Sequence, residues 1–242
     1  MSGGGLIGQS RLRDSLRLHT GSFAVIGPRG VGKHAAVAEW VDERPYQALT
    51  TLADLRGAVA RPSLLHILDT TEVRPISWTP LLRPLEEDAF PLVIIATSEL
   101  PPALASRLSV FRAGYLSDAE VFQVLTLHFP RLSPRPVIAG MAQGCLANIN
   151  TVAAAAQTWE TLDRCLAEGR VPDLFRTDPE VAFFGLRALC RSVLALSSVL
   201  PISAEARSAV SHNAAAALLG QPDPTSKHEA RNAVALWWAD CG

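Results

Sequence analysis

Phe23-Ala-Val-Ile26 runs without a break into Gly27-Pro-Arg-Gly-Val-Gly-Lys33, and helical composition resumes from Ala35 to Glu43. The apolar run reads as a buried strand, the glycines as a tight turn, and the following segment as a helix. The turn fits G-x-x-x-x-G-K, and the strand–turn–helix context gives that short pattern its weight. Glycine geometry lets backbone N–H groups converge on phosphate oxygens. The helix N-terminus adds the positive end of its dipole, and Lys33 reaches the outer phosphates. The candidate phosphate cradle is therefore Gly27, Pro28, Arg29, Gly30, Val31, Gly32, Lys33 and His34.

His34 departs from that pattern, which calls for a Ser or Thr whose hydroxyl ligates Mg²⁺. Imidazole is a poor ligand for a hard, oxygen-seeking cation, so the change costs hydrolysis more than nucleotide binding. Further along, Ser63-Leu-Leu-His-Ile-Leu-Asp69 is an apolar strand ending in an acid, the form in which Asp69 holds Mg²⁺ through water. A working ATPase of this type usually has Glu next. Here Thr70 and Thr71 follow, and a hydroxyl cannot act as general base near neutral pH. Glu72 lies two residues on and needs a shifted geometry to serve.

Outward from this stretch the plan is α/β. Leu64–Leu68 and Pro91–Ala96 are apolar runs expected as strands, with helices at 52–60 and 79–87 between them. An amphipathic helix is expected over residues 6–19, capped by Ser10 and burying Leu12, Leu16 and Leu18. Apolar runs without alternation, separated by helices, imply a parallel sheet covered on both faces. From Ser117 onward only helices are expected, at 119–128, 137–143, 149–166, 180–199, 203–219 and 226–240. The domain expectation is a nucleotide-binding α/β domain at 1–116, a small helical lid at 117–168 and a helical region at 178–242.

With 48% apolar and 19% charged residues, disorder of the highly charged kind is excluded. Twenty-two basic against 23 acidic residues exclude a globally basic nucleic-acid binder, though not a local stripe built from Arg11, Arg13, Arg17, Arg56, Arg61, Arg74 and Arg83. Mean hydropathy is +0.19, but Arg, Asp, Glu or Pro interrupts every candidate membrane span. The four cysteines, at 145, 165, 190 and 241, are too widely spaced for a zinc knuckle or a disulfide scaffold. The first residues do not read as a signal peptide, and a cytoplasmic protein is expected.

Several motifs in order resemble the clamp-loader subunits of the AAA+ family, of the small-subunit or delta-prime type. Leu81-Leu-Arg-Pro-Leu-Glu-Glu-Asp88 is similar to their LLKxLEEP segment, and Ile94-Ile-Ala-Thr-Ser98 to their sensor 1 strand. Ser106-Arg107-Leu108 resembles their SRC motif, with Leu where Cys is usual. Leu6-Ile-Gly-Gln9 resembles the box beside the adenine, and Gly144-Cys-Leu-Ala147 the sensor 2 segment. The resemblance spans about residues 6–157.

It implies an AAA+ P-loop NTPase domain, a helical lid and a short collar-like helical tail. ATP and Mg²⁺ are the implied cofactors, with Ile7 beside the adenine, Asp69 on the metal, Ser98 orienting water or γ-phosphate, and Arg107 reaching into a neighbouring subunit's site. The implied partners are other subunits of a ring, a sliding clamp and primer–template DNA, with no membrane. Ala147 stands where a γ-phosphate-contacting Arg is common, so with His34 and Thr70 three catalytic positions are off-pattern. Hydrolysis at this site is expected to be weak or absent. The competing expectations are a non-hydrolysing structural subunit and another AAA+ ATPase of replication or recombination.

Overall fold

The computed structural model describes residues 7–42, 44–49, 54–71, 77–133, 135–170, 178–197, 200 and 202–241. The chain forms two compact units, Met1–Leu116 with Cys145–Ala147, and Ser117–Gly144 with Asn148–Gly242.

In the first unit, β1 (Phe23–Ile26), β2 (Tyr46–Leu49), β3 (Leu65–Asp69), β4 (Leu92–Ala96) and β5 (Ser109–Arg112) make one five-stranded sheet in the order β2-β3-β4-β1-β5. Every neighbouring pair is parallel. The inner strands are apolar runs because both of their faces are covered. On one face, α1 (Ser10–Arg17) and α2 (Lys33–Val41) supply Leu12, Leu16, Ala36, Val37 and Val41 against Phe23, Val25, Val93 and Ile95. On the other, α3 (Leu55–Val59), α4 (Thr79–Glu86) and α5 (Pro102–Ala105) bring Ala58, Leu81, Leu85 and Leu104 against Ala24, Ile26, Leu68 and Ile94. The α/β class with a parallel sheet expected from the sequence is thus observed.

Two strands, β2 and β5, were not expected. Both lie at the edges of the sheet, where a strand pairs on one side only and needs no continuous apolar run. Tyr46 and Ala48 of β2 are exposed, as are Ser109 and Arg112 of β5. The start of α1 also differs from expectation. Ser10 is its first residue rather than its cap. Gln9 takes that position in a left-handed conformation (φ 53°) with no side-chain capping bond. Leu12 and Leu16 are buried, but Leu18 is 87% exposed, because α1 ends before it.

The second unit is wholly helical among the described residues: α6 (Asp118–His128), α7 (Arg135–Ala142), α8 (Ile149–Gln157), α9 (Trp159–Ala167), α10 (Pro179–Val193), α11 (Ala204–Ser208), α12 (His212–Leu219) and α13 (Lys227–Cys241). Ser117 and Glu120 form a reciprocal capping box that starts α6. The single helix expected over 149–166 breaks at Thr158, whose hydroxyl bonds the Ala155 carbonyl at 3.0 Å. The helix expected over 203–219 is α11 and α12, restarted where the Ser211 hydroxyl accepts from the Ala214 N–H at 3.1 Å.

α10 opens the region expected from the sequence as a collar-like tail. Phe184, Leu186, Leu189 and Val193 of α10 are buried, because α10 packs against α7, α8, α9, α12 and α13 of its own unit. That apolar surface is covered within the unit. Leu196, which follows α10, is exposed, and Val199 lies outside the described residues. Trp237 is a core residue of the same unit at 1% exposure, and Trp238 beside it is half-buried. Among the described residues no helix is long and apolar enough to cross a membrane.

Candidate phosphate-binding site

The loop between β1 and α2 is bent by glycines at three places. Gly27 has φ +152° and Gly30 φ +75°, and Gly32 caps α2 with φ 93°. A Cβ on Gly27 would stand 2.2 Å from the Ala113 carbonyl oxygen, and one on Gly30 would stand 2.4 Å from the Ala147 nitrogen. Backbone atoms cannot yield as a flexible side chain does, so both positions demand glycine for space as well as for conformation.

Every carbonyl from Gly27 to Val31 accepts a hydrogen bond from a protein donor, three of them from outside the turn. Lys33 Nζ donates to the Gly27 and Pro28 oxygens at 2.8 and 2.6 Å. The Cys145 thiol donates to the Arg29 oxygen at 2.9 Å. Leu146 N–H donates to the Gly30 oxygen at 2.9 Å, and Gln9 Nε2 donates to the Val31 oxygen at 3.2 Å. Gln9 also bonds the Gly114 carbonyl, tying the start of α1 to the strand end beside the loop. The first helical bond of α2 is Ala36 N–H to the Gly32 oxygen, so the N–H groups of its opening turn have no intrahelical acceptor. The loop thus turns its acceptors toward the protein and keeps donors for a ligand. A cavity of about 420 Å³ lies over it, lined among others by Arg29, Gly32, Lys33, His34, Thr71 and Ala147.

Lys33 is 3% exposed, and burial pushes its ammonium below the ordinary lysine range against the opposing pull of Asp69 and Cys145. Desolvation disfavours the charged form, while the nearby negative groups favour it.

Strand order explains which residues join this loop. β4 lies between β1 and β3, with Ala96 in register with Ile26, and Ile95 in register with Asp69. The carboxyl ends of the three strands therefore open on one edge, where ligands of open parallel sheets bind. Thr97 and Ser98 follow β4 at that edge, both half-buried.

Both carboxylate oxygens of Asp69 are hydrogen-bonded. Its Oδ2 takes His34 Nε2 at 2.6 Å, and its Oδ1 accepts from the Thr71 N–H at 2.9 Å and the Thr71 hydroxyl at 2.7 Å. Burial works to raise the Asp69 pKa. The Thr71 bonds and His34 outweigh it and hold the carboxyl below the usual aspartate range. Thr70 turns away from the cavity. Its hydroxyl bonds the Ile95 carbonyl at 3.0 Å and the residue is buried, so it is part of the sheet and not of a catalytic centre.

The Mg²⁺ expected at Asp69 does not fit these residues. Position 34 offers an imidazole, and the carboxylate that would position a hydrated cation is already bonded on both oxygens. Among the described residues no three His, Cys, Asp or Glu side chains gather as a metal-holding group.

Arg107 follows α5 and is held by Glu86 of α4, Nε donating to Oε1 at 2.9 Å, with a second bond from its terminal nitrogen to the same oxygen. It also donates to the Ala103 carbonyl, and it is not among the described residues lining the loop cavity. Glu99 pairs with Arg112. Ile7 is half-buried and precedes Gly8 and Gln9, both at positive φ. Leu6, Glu72 and Arg74 lie outside the described residues, as does the side chain of Arg56. Of the other stripe arginines, Arg13 and Arg17 pair with Glu39, Arg83 with Glu87, and Arg61 bonds Gln47. His66 is buried, with Nε2 on the Arg61 carbonyl at 3.3 Å and its ring edge-on to Phe90.

Sequence reasoning placed Gln9 and Cys145–Ala147 in motifs but not on the carbonyls of the loop. The only signal for that role was their membership of boxes that the resemblance puts near the nucleotide. No family model matches the chain, and the comparison with curated proteins finds no match. The fold is an α/β domain compatible with a P-loop architecture, with an all-parallel sheet and a strand–glycine loop–helix at its carboxyl edge.

Proposed function

We propose that the chain is a nucleotide-holding subunit of a clamp-loader-like AAA+ ring, with little or no hydrolysis at its own site. ATP is the proposed ligand, its phosphates on Gly27–His34 and its base toward Ile7. The proposed partners are neighbouring subunits, a sliding clamp and primer–template DNA. The observation that carries the reading is the loop itself: its carbonyls from Gly27 to Val31 are tied to protein donors while the opening turn of α2 keeps its N–H groups. The position of β4 between the loop strand and the acid strand supports it, as does the contact of the LEE segment with the SR segment through Glu86 and Arg107. Weak hydrolysis is supported by Thr70 being tied into the sheet and by the absence of a side-chain charge at Ala147.

The experiment is equilibrium binding of a fluorescent ATP analogue to the chain and to Lys33→Ala. Removing a buried ammonium from the phosphate cradle is expected to weaken binding by about tenfold or more. Equal affinity in both proteins would remove the loop from the nucleotide site.

A further inference from the structure

We infer that the first unit holds a second ligand site, beside the phosphate loop, which takes a small organic cation: an ammonium or amidinium head carried on an apolar body. The site is a cavity of about 630 Å³ between α2 and the sheet. Small-molecule sites are commonly cavities of roughly 300–1,000 Å³ with apolar walls and a few placed polar groups. Its position follows from the strand order. α1 and α2 pack over β1 and β4, while Tyr46 and Ala48 of the edge strand β2 stay exposed on the sheet. The cavity lies between α2 and those outer strands, walled by Val37 and Val41 of α2 and by Leu49, Ile67 and Ile95.

The charge on its walls selects the ligand. Apart from the Tyr46 hydroxyl, the polar side chains are acceptors or anions, and no Lys or Arg is among the described lining residues. Burial works against ionisation of Asp69, but the Thr71 and His34 bonds hold it below the usual aspartate range, so it is an anion. A neutral His34 spends its single N–H on Asp69 through Nε2, which leaves Nδ1 as an acceptor. Asp42 closes α2, is exposed, and has no described residue donating to its carboxylate. Arg17 and Arg44 share a neighbouring cavity with Asp42, but Glu39 holds the first and the face of Trp40 holds the second. Tyr46 opens the strand that follows Asp42, and its 54% exposure offers a ring face to a cation. The head group therefore belongs at Asp42 and Tyr46, with the apolar body lying along the aliphatic wall toward His34.

The test is calorimetric titration of the full chain with 4-phenylbutylamine, 4-phenylbutanol and 4-phenylbutyrate, which share one body and differ in charge. The amine is expected to bind with a Kd of about 1 mM or tighter, the alcohol about threefold more weakly and the acid about tenfold more weakly. Asp42→Asn is expected to bring the amine down to the alcohol's affinity, and Asn tolerates the positive φ of 51° at that position. Ala48→Phe puts a ring into the cavity from an exposed position and is expected to abolish amine binding. No amine binding by wild type up to about 10 mM overturns the inference, as does an acid or alcohol that binds as well as the amine. Undiminished amine binding by a folded Ala48→Phe protein overturns the placement. A wild-type dimer in sedimentation that Ala48→Phe dissociates also overturns it, because the cavity would then receive a second copy of the chain. The order of the three ligands on wild type decides the matter even where a variant fails to fold. ATP enters none of these measurements, so this inference and the nucleotide reading fail separately.

Discussion

Thr70 shows how one side chain decides what its neighbours do. Its hydroxyl closes a bond to Ile95 across the β3–β4 pair, at a site with 3% exposure. A glutamate placed there would lose that bond and bury its carboxylate, a penalty of about 1–3 kcal/mol. Thr70→Glu is therefore expected to lower the stability of the chain by about that amount in urea unfolding, and to leave ATP turnover at the wild-type level. A large gain in turnover would show that the new carboxylate faces the cavity. The Gly27–Lys33 pattern and the oddity of His34 were readable residue by residue, since a phosphate loop is local in sequence. The His34–Asp69 pair was not, because its members are 35 positions apart and meet only once β4 has separated β1 from β3. Arg107 teaches the same lesson. The turn after α5 sets it on Glu86 of α4, 21 positions earlier in the chain.

At the scale of elements, the inner strands were legible and the edges were not. A strand buried on both faces announces itself by composition. Tyr46-Gln-Ala-Leu49 and Ser109-Val-Phe-Arg112 are four residues each and carry polar or exposed positions, so nothing local separates them from loops. The loop between β1 and α2 depends on a third element, the short segment Cys145–Ala147. Gly30→Ala would drive a methyl group to 2.4 Å from the Ala147 nitrogen and 2.7 Å from the Cys145 sulfur, at a φ of +75°. The segment must move, releasing the bonds on Arg29 and Gly30. Gly30→Ala is expected to cost about 1–3 kcal/mol in stability and most of the nucleotide affinity. Wild-type affinity in this variant would mean that the carbonyl ties do not shape the loop.

At the scale of the whole molecule, two helical stretches read from sequence as a lid and a tail form one unit around α10. The sequence shows a helix over 180–199 with an apolar surface. It carries no information on whether that surface meets its own chain or another. Arg107 is the residue whose role tests whether subunits join in a ring. In an assembly with clamp and primed DNA, Arg107→Ala is expected to lower turnover at least about tenfold while nucleotide binding by the chain itself stays unchanged. Equal turnover of the two assemblies would leave Arg107 as the partner of Glu86 and nothing more. The stripe of arginines was legible as composition only. Arg13, Arg17 and Arg83 are each engaged with a carboxylate, which leaves less positive charge for DNA than the count of seven implied.

The outward ties of the loop have a consequence for anyone wishing to borrow it. The seven residues Gly27–Lys33 look like a self-contained cassette, yet their shape is held by Gln9, upstream by almost the length of a helix and a strand, and by Cys145 and Leu146, more than a hundred positions downstream. Transplanted into another strand–helix junction, the cassette would arrive without its anchors. The carbonyls of Arg29, Gly30 and Val31 would then be free to swing toward the incoming phosphates and repel them. What works as a unit here is a knot of three separated stretches, and the short motif is only its visible part.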